Sequence, residues 1–377
     1  MTARAPSTRE GWPKVRLGDV CELRYGKSLP AGRRSGSGYP VYGSNGEVGR
    51  HDSALTSGTT VVVGRKGSFG EVRYSAGPCW PIDTTYFIDE GSTEADLRWL
   101  FHLLLVLPLK DLNRAAAIPG LNREDAYDLS VVLPPIEDQR RIAALLDAAD
   151  AVRAKRCQAL ARLDTLTQAV FIDMFGDPGN DATDRCLLTE VADLQIGYPF
   201  KSSTFTSDGS GRRICRGANV LPGRISWKDT ERVPDKIAEE RSEFRLVAGD
   251  VVVGMDRPWI SDGFKVAPVS AEDEGCLLVQ RVARLRATEE VPPGYIYELL
   301  RLPAFTRHCA PTETTIPHIS PNDFRSFSIP RPRADRLRAF GGIYAELGRE
   351  RRRMNASSSR CEDLFASLQQ RAFRGEL

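Results

Sequence analysis

Hydrophobic positions change their period along the chain in a way that divides it into four parts. From Ile136 to Phe175 and from Asp335 to Phe373 there is no proline, and apolar or small residues recur three and four apart. In the first stretch these are Ile142, Leu145, Ala149, Val152, Ala159, Leu163, Leu166 and Val170, with a gap at Arg156. In the second they are Phe340, Tyr344, Leu347, Met354, Cys361, Phe365, Leu368 and Ala372, interrupted by Arg351 and Ser358. Such spacing predicts two long helices, each with a heptad seam. Forty residues of helix extend about 60 Å, so two matching seams are expected to pack on each other as an antiparallel coiled coil.

The stretches before the helices, residues 14–133 and 186–332, are rich in Gly, Pro, Ser and Thr with short β-branched runs, the pattern of an irregular, mostly-β domain. A short helix is expected over Glu94–Leu107 and its counterpart over Gly294–Leu302. The predicted fold class is α+β: two mostly-β globular domains, 1–133 and 176–333, joined by the long helices 134–175 and 334–377 with an internal pseudo-two-fold repeat.

The repeat is visible in the residues themselves. Leu17, Val20, Leu23 and Gly26 recur at the same spacing as Leu188, Val191, Leu194 and Gly197. Val61-Val62-Val63-Gly64 matches Val251-Val252-Val253-Gly254, and Ile118-Pro119-Gly120-Leu121 with Asp125 matches Ile316-Pro317-His318-Ile319 with Asp323. Matches in one order along the chain imply a duplicated unit.

Composition then narrows the function. The 377 residues carry 52 Lys+Arg against 50 Asp+Glu, a net charge of +2, so any nucleic-acid surface must be local. Only nine of those cations are Lys, and Arg is the better partner for phosphate and guanine. The eight cysteines have no zinc-knuckle spacing and read as reduced thiols. The segment Met1–Trp12 has neither a signal-peptide nor a transit-peptide pattern. The apolar run Leu100–Leu109 is broken by His102 and Pro108 and is too short to span a bilayer. The expectation is a soluble, cytoplasmic protein.

Catalytic constellations are absent from the sequence. Gly26-Lys27-Ser28 lacks the upstream glycine of a phosphate loop, position 21 being Cys. Gly64-Arg65-Lys66-Gly67-Ser68-Phe69-Gly70 lacks dinucleotide-binding spacing. His51, His102, His308 and His318 form no zinc-protease pair, no Ser lies in a nucleophile elbow, and no motif of an amino-methylating enzyme is present. The chain reads as non-catalytic, with no cofactor or metal of its own.

Binding chemistry is better represented. In the first domain, Tyr42, Ser44 and Asn45 lie in a turn-rich stretch, with Lys27, Arg33, Arg34, Arg65, Lys66 and Arg73 around it in sequence. The second domain offers Lys201, Arg212, Arg213, Arg216, Asn219, Arg224 and Lys228. Both sets suit phosphate and base-edge contacts. A coiled-coil adaptor, whose two domains hold other partners, fits the same architecture.

The strongest words of the sequence are Leu133-Pro134-Pro135-Ile136-Glu137-Asp138-Gln139-Arg140-Arg141-Ile142-Ala143, Tyr42-Gly43-Ser44-Asn45-Gly46, Gly64 to Gly70, and the terminal Leu368 to Leu377. On these, the whole chain resembles the specificity subunit of type I restriction-modification systems. The second helix entry, Pro330-Arg331-Pro332-Arg333-Ala334-Asp335-Arg336, lacks the acidic-Gln pair. The resemblance implies a non-catalytic reader of double-stranded DNA, each domain reading half of a bipartite, asymmetric site. It also implies helices that set the spacing and dock two methyltransferase subunits, which carry S-adenosylmethionine, with a motor-nuclease restriction subunit joining the assembly. A rod of about 60 Å bounds the half-site separation at roughly 17 base pairs. With neither domain strongly basic, the isolated chain is expected to bind DNA weakly. An orphan subunit outside any restriction complex would read the same.

Overall fold

The computed structural model describes residues 12–112, 120–179, 184–206, 209–309 and 317–376. Ile118, Pro119 and Ile316 of the third sequence correspondence, and residues 1–11, lie outside this set. The chain forms two compact units, Met1–Gln158 with Ala356–Leu377, and Ala159–Asn355. Each unit therefore holds one β-rich region and a portion of both long helices.

In the first unit a four-stranded antiparallel sheet runs Arg24–Tyr25, Thr85–Asp89, Thr60–Gly64, Val72–Ser75. Val61, Val62 and Val63 are all buried, which is why this strand reads as an unbroken apolar run instead of an alternating one. A second sheet pairs Tyr39–Gly43 antiparallel with Gly46–His51 and parallel with Trp80–Pro81. The helix Leu97–Val106 starts where the Asp96 side chain accepts from the backbone amides of Arg98 and Trp99. It buries Trp99, Leu100 and Leu104 in the core with Leu17 and Ile88.

The second unit repeats the wiring of both sheets and adds two hairpins, Val220–Leu221 with Arg224–Ile225 and Trp259–Ile260 with Gly263–Phe264. Its four-stranded sheet runs Ala192–Ile196, Val282–Ala287, Val251–Gly254, Val266–Pro268, and Arg212–Cys215 lies antiparallel to Arg232–Val233 and parallel to Leu277–Leu278. The helix equivalent to Leu97–Val106 is Pro293–Leu300. Even single bridges recur: Lys66 pairs with Gly120 where Asp256 pairs with His318.

The long helices span Ile136–Phe175 and Ala334–Phe373, 40 residues each. The acidic-Gln motif at the first entry has a structural reason. Gln139 is buried, its Oε1 accepting from the Asp96 amide at 2.8 Å and its Nε2 donating to the Pro134 carbonyl at 2.8 Å. It thus ties the start of the long helix to the cap of the domain helix. The shift that carries Ile136 onto Ala334 carries Gln139 onto Leu337, which is buried in the second unit's core, so the second entry is closed by apolar packing and has no need of the amide.

The helices pack antiparallel within each unit. In the first, Ile142, Leu146, Phe365 and Ala372 join the core and Trp99 meets Phe373 at 6.3 Å between ring centroids. In the second, Phe171 meets Tyr295 at 5.2 Å and Phe340 at 5.5 Å, and Phe175 meets Tyr295 at 4.8 Å. The seam also carries charge. Arg153 pairs with Glu362 at 2.6 Å and lies 4.4 Å from the Phe365 ring centroid, while Arg156 donates to Ser357. The shift that relates the two helices carries Arg153 onto Arg351 and Asp164 onto Glu362, and Arg351 faces Asp164 at 3.7 Å. Asp164 is also held by Arg301 at 2.5 Å, which in turn holds Glu298 at 3.0 Å. Burial pushes the Glu298 carboxyl up to about 7 against the opposing pull of Arg301.

This seam corrects the sequence reading of the first helix. Leu145, Val152 and Leu166 are 48%, 46% and 50% exposed and lie off it. The inward stripe instead passes through Ile142, Leu146, Ala149, Arg153, Arg156, Leu160, Leu163 and Thr167. An alanine-rich sequence offers two apolar stripes, and the true one is hidden by the two arginines. In the second helix Phe340 and Phe365 are buried and Leu347, Met354 and Leu368 are half-buried on the inward side.

Leu146→Ala is expected to destabilise the fold by about 2–5 kcal/mol through the cavity it leaves. Leu145→Ala, one residue away, should stay within about 0.5 kcal/mol of the parent. Thermal unfolding of both variants reads the difference, and the reverse order would contradict the assigned seam.

Candidate nucleic-acid interface

In the first unit the turn Pro81–Thr84 gathers the elements that carry the sequence-predicted cations. The Lys27 amide donates to the Pro81 carbonyl at 3.0 Å, and the Ile82 amide to Tyr42 at 2.9 Å. Arg65 Nη2 donates to the Asp83 carbonyl at 2.6 Å, and the Arg65 and Lys66 amides converge on the Thr84 carbonyl at 2.9 and 3.1 Å. Ser44 Oγ donates to the same carbonyl. Such convergence requires close backbone approach: a Cβ on Gly26 would sit 2.1 Å from the Ile82 oxygen, and one on Gly64 2.3 Å from the Ser68 oxygen.

Above this frame an aromatic platform carries two guanidinium groups. Arg65 lies 5.2 Å from the Tyr25 ring centroid and 5.8 Å from that of Tyr86, and Arg123 lies 5.4 Å from Tyr25. Tyr25 itself is 54% exposed. Burial pushes the Tyr86 hydroxyl up to about 12, so it remains neutral beneath the cations. Both guanidinium groups lie at cation–π distance from the rings, and their N–H groups not already engaged suit phosphate or guanine.

The predicted residues divide around this frame. Lys27, Asn45 and Lys66 are exposed, and Arg73 lies beside the two-residue turn Ser44-Asn45, where a Cβ on Gly46 would be 3.5 Å from its Nε. Arg73 also faces Glu71 at 3.4 Å. Arg34 is spent on main chain, donating to the Val48 and Leu29 carbonyls, and the neighbouring Arg33 is exposed. Ser44 is buried and spent on Thr84, so its reading as a base-edge donor is corrected: it is a brace.

The second unit builds an equivalent frame from Tyr198, Cys215 and Val279. The Val279 amide donates to Cys215 at 3.2 Å, the Gln280 amide to Tyr198 at 2.9 Å, and a Cβ on Gly197 would lie 2.1 Å from the Val279 oxygen. Around it, Arg213 stacks over Trp227 at 4.4 Å and Arg241 over Tyr198 at 4.7 Å. Arg216 is tied to Asp229 at 3.1 Å and Arg212 to Asp235 at 3.4 Å. Lys201, Arg224 and Lys228 are exposed. Asn219 departs from its predicted role: it is buried, accepting from the Arg216 amide at 3.0 Å and donating to the Ser226 and Asp229 carbonyls at 3.0 Å, so it closes a loop and has no free edge for a base.

Sequence reasoning missed Tyr25 and Arg123 in the first unit and Arg257, Lys265 and Arg281 in the second. The repeat could have flagged Arg257, which follows the same Val-Val-Val-Gly strand as the loop containing Lys66. Nothing local marks Tyr25 or Lys265. Among the described residues no group of three or more His, Cys, Asp or Glu side chains could hold a metal, and no helix is long and apolar enough to cross a membrane.

Comparison with known proteins places this architecture. Residues 9–162 match the family described as the type I restriction modification DNA specificity domain. The EcoAI type I restriction enzyme specificity subunit of Escherichia coli is 34% identical over 137 residues, 36% of this chain and 23% of that protein. The MjaVIII specificity subunit of Methanocaldococcus jannaschii is 24% identical over 249 residues, 61% of this chain and 58% of that protein. The chain thus spans less than two thirds of the length of these two relatives. The crystal structure of the S subunit of a type I restriction-modification system from M. genitalium shares the fold, with a TM-score of 0.58 at 14% identity over 98% of each chain. Over residues 9–162 the chain is therefore similar to the type I restriction modification DNA specificity domain, and over its whole length it shares the fold of a type I restriction-modification S subunit.

Proposed function

We propose that this chain is the DNA-recognition subunit of a type I restriction-modification assembly, each unit reading one half of a bipartite target in duplex DNA. The observation that carries the reading is a duplicated frame dressed with different cations. Arg65 and Arg123 over Tyr25 in the first unit stand against Arg213 over Trp227 and Arg241 over Tyr198 in the second. Equivalent frames with different readers suit an asymmetric target better than a palindromic one. Lys27, Asn45, Arg65, Lys66 and Arg73 are the candidate contacts of the first half-site, with Arg33 and Arg34 at its edge. Lys201, Arg212, Arg213, Arg216, Arg224 and Lys228 are those of the second.

In this reading the chain performs no chemistry. Methyl transfer belongs to two partner methyltransferase subunits that bind S-adenosylmethionine, and cleavage to a motor-nuclease subunit. The exposed Leu145 and Val152, one heptad apart on the outer face of the first long helix, with Leu166 further along, are candidate methyltransferase contacts.

Two outcomes are expected. Duplex binding by the full chain should weaken steeply between 50 and 200 mM salt, and Arg65→Ala should cost about 1–3 kcal/mol in affinity. Binding indifferent to salt would contradict DNA recognition. Leu145→Glu with Val152→Glu should abolish co-purification with the methyltransferase while the thermal midpoint holds. Retained co-purification would remove those residues from the docking face.

A further inference from the structure

The second unit contains a cleft of about 620 Å³ with an unusual charge balance. Phe200 and Phe205 line one part of it, and Arg216, Arg257, Lys265 and Arg281 another, with Asp256 as its one carboxylate among the described lining residues. That carboxylate is already committed, to Arg281 at 2.7 Å and His318 at 2.8 Å. Arg216 is occupied by Asp229, but Lys265 has no such partner. Its side chain is only 8% exposed, and its Nζ has one acceptor among the described residues, the Asp256 carbonyl at 3.3 Å. An ammonium has three N–H groups to satisfy, so two are left facing the cleft. Burial pushes this ammonium below its ordinary value, Asp256 offsetting only part of that and Arg257 adding to it.

The duplication shows that the arrangement is particular to this unit. The Gly64 amide donates to the Glu71 carbonyl at 2.7 Å, and the Gly254 amide to the Lys265 carbonyl at 2.9 Å, so Glu71 and Lys265 are equivalent positions. Glu71 is satisfied by Lys110 at 2.5 Å and Arg73 at 3.4 Å. Lys265 is a buried cation held in the space that Gly254 leaves open, where a Cβ would come within 2.9 Å of its Cε. At the rim, Arg257 and Arg281 adopt left-handed backbone conformations, φ 43° and 66°, the only non-glycine residues to do so among those described. Such strain persists only where the surroundings enforce it.

We infer that this cleft is a seat for one phosphodiester group of the DNA backbone, with Lys265 at its floor and Arg257 and Arg281 at its rim. Acceptor-only chemistry is what the spare N–H groups require, and both phosphate and the guanine edge supply it. Shape decides between them. A cleft receives a convex ligand, and on a duplex the backbone is convex, whereas base edges lie at the bottom of grooves and are reached by protruding side chains. The seat would position the second unit on the duplex without reading sequence. This assignment rests on the proposal that the chain binds DNA.

Two variants test it on the full chain. Lys265→Met removes the charge while keeping the length of the side chain. Gly217→Asp supplies a competing carboxylate, since its Cβ would lie 3.9 Å from Lys265 Nζ at an unstrained backbone position. Both should lower affinity for cognate and unrelated duplexes alike, by about tenfold, and reduce the salt slope by roughly one. Both should keep or raise the thermal midpoint, because a buried uncompensated cation has been removed or paired. If the parent chain binds duplex and either variant keeps its affinity and slope, the seat is wrong. A fall in thermal midpoint equal in both variants would make Lys265 structural and overturn it as well. Loss confined to cognate duplex would move the contact to a base edge. A parent chain that binds no duplex would instead overturn the DNA reading itself.

Discussion

Each β-rich region is closed by segments of both long helices, and the pairing of those segments is the constraint on which the rest depends. Trp99 is closed by Phe373, and Tyr295 by Phe171 and Phe175. The register of that pairing is marked by charge. Arg153 with Glu362, and Arg351 with Asp164, are the same ion pair written twice. All four side chains are partly exposed, so the pairs add little stability. A charged residue at a seam position instead disfavours every register that leaves it unpaired. A slip by one turn would strand both arginines against apolar neighbours at once.

On that scaffold the two units keep one frame and vary what it carries. The close backbone approaches at Ile82 in the first unit and at Val279 in the second depend on Gly26 and Gly197, which admit no side chain. Because these frames are set by main-chain hydrogen bonds, the side chains around them can change with little effect on the fold. The equivalence of Glu71 and Lys265 illustrates this: one position holds a satisfied carboxylate in the first unit and an unsatisfied ammonium in the second. Divergence at such positions lets one frame carry different side chains in the two units.

Much of this was legible in the residues. The proline-free stretches with heptad spacing correspond to the two 40-residue helices, and the recurring Val-Val-Val-Gly runs to equivalent strands. The first seam was misjudged because periodicity alone favours leucine and valine over arginine, and Arg153 and Arg156 lie inward only because Glu362 and Ser357 meet them. Asn219 and Ser44 looked like free polar groups, since no local signal distinguishes a side chain that binds a ligand from one that closes its own loop. Lys265 was invisible for a related reason: its burial is created by Gly254 and the strands around it, which only the tertiary structure brings together.

The central claim is that each unit independently reads one half of an asymmetric target. Sequencing the methylated bases in DNA from cells that express the chain with its methyltransferase tests it most directly, with Arg65→Ala and Arg213→Ala chains compared with the parent. The account predicts a two-part motif in which Arg65→Ala relaxes one half only and Arg213→Ala the other. A palindromic motif, or a substitution in one unit that alters both halves, would contradict it.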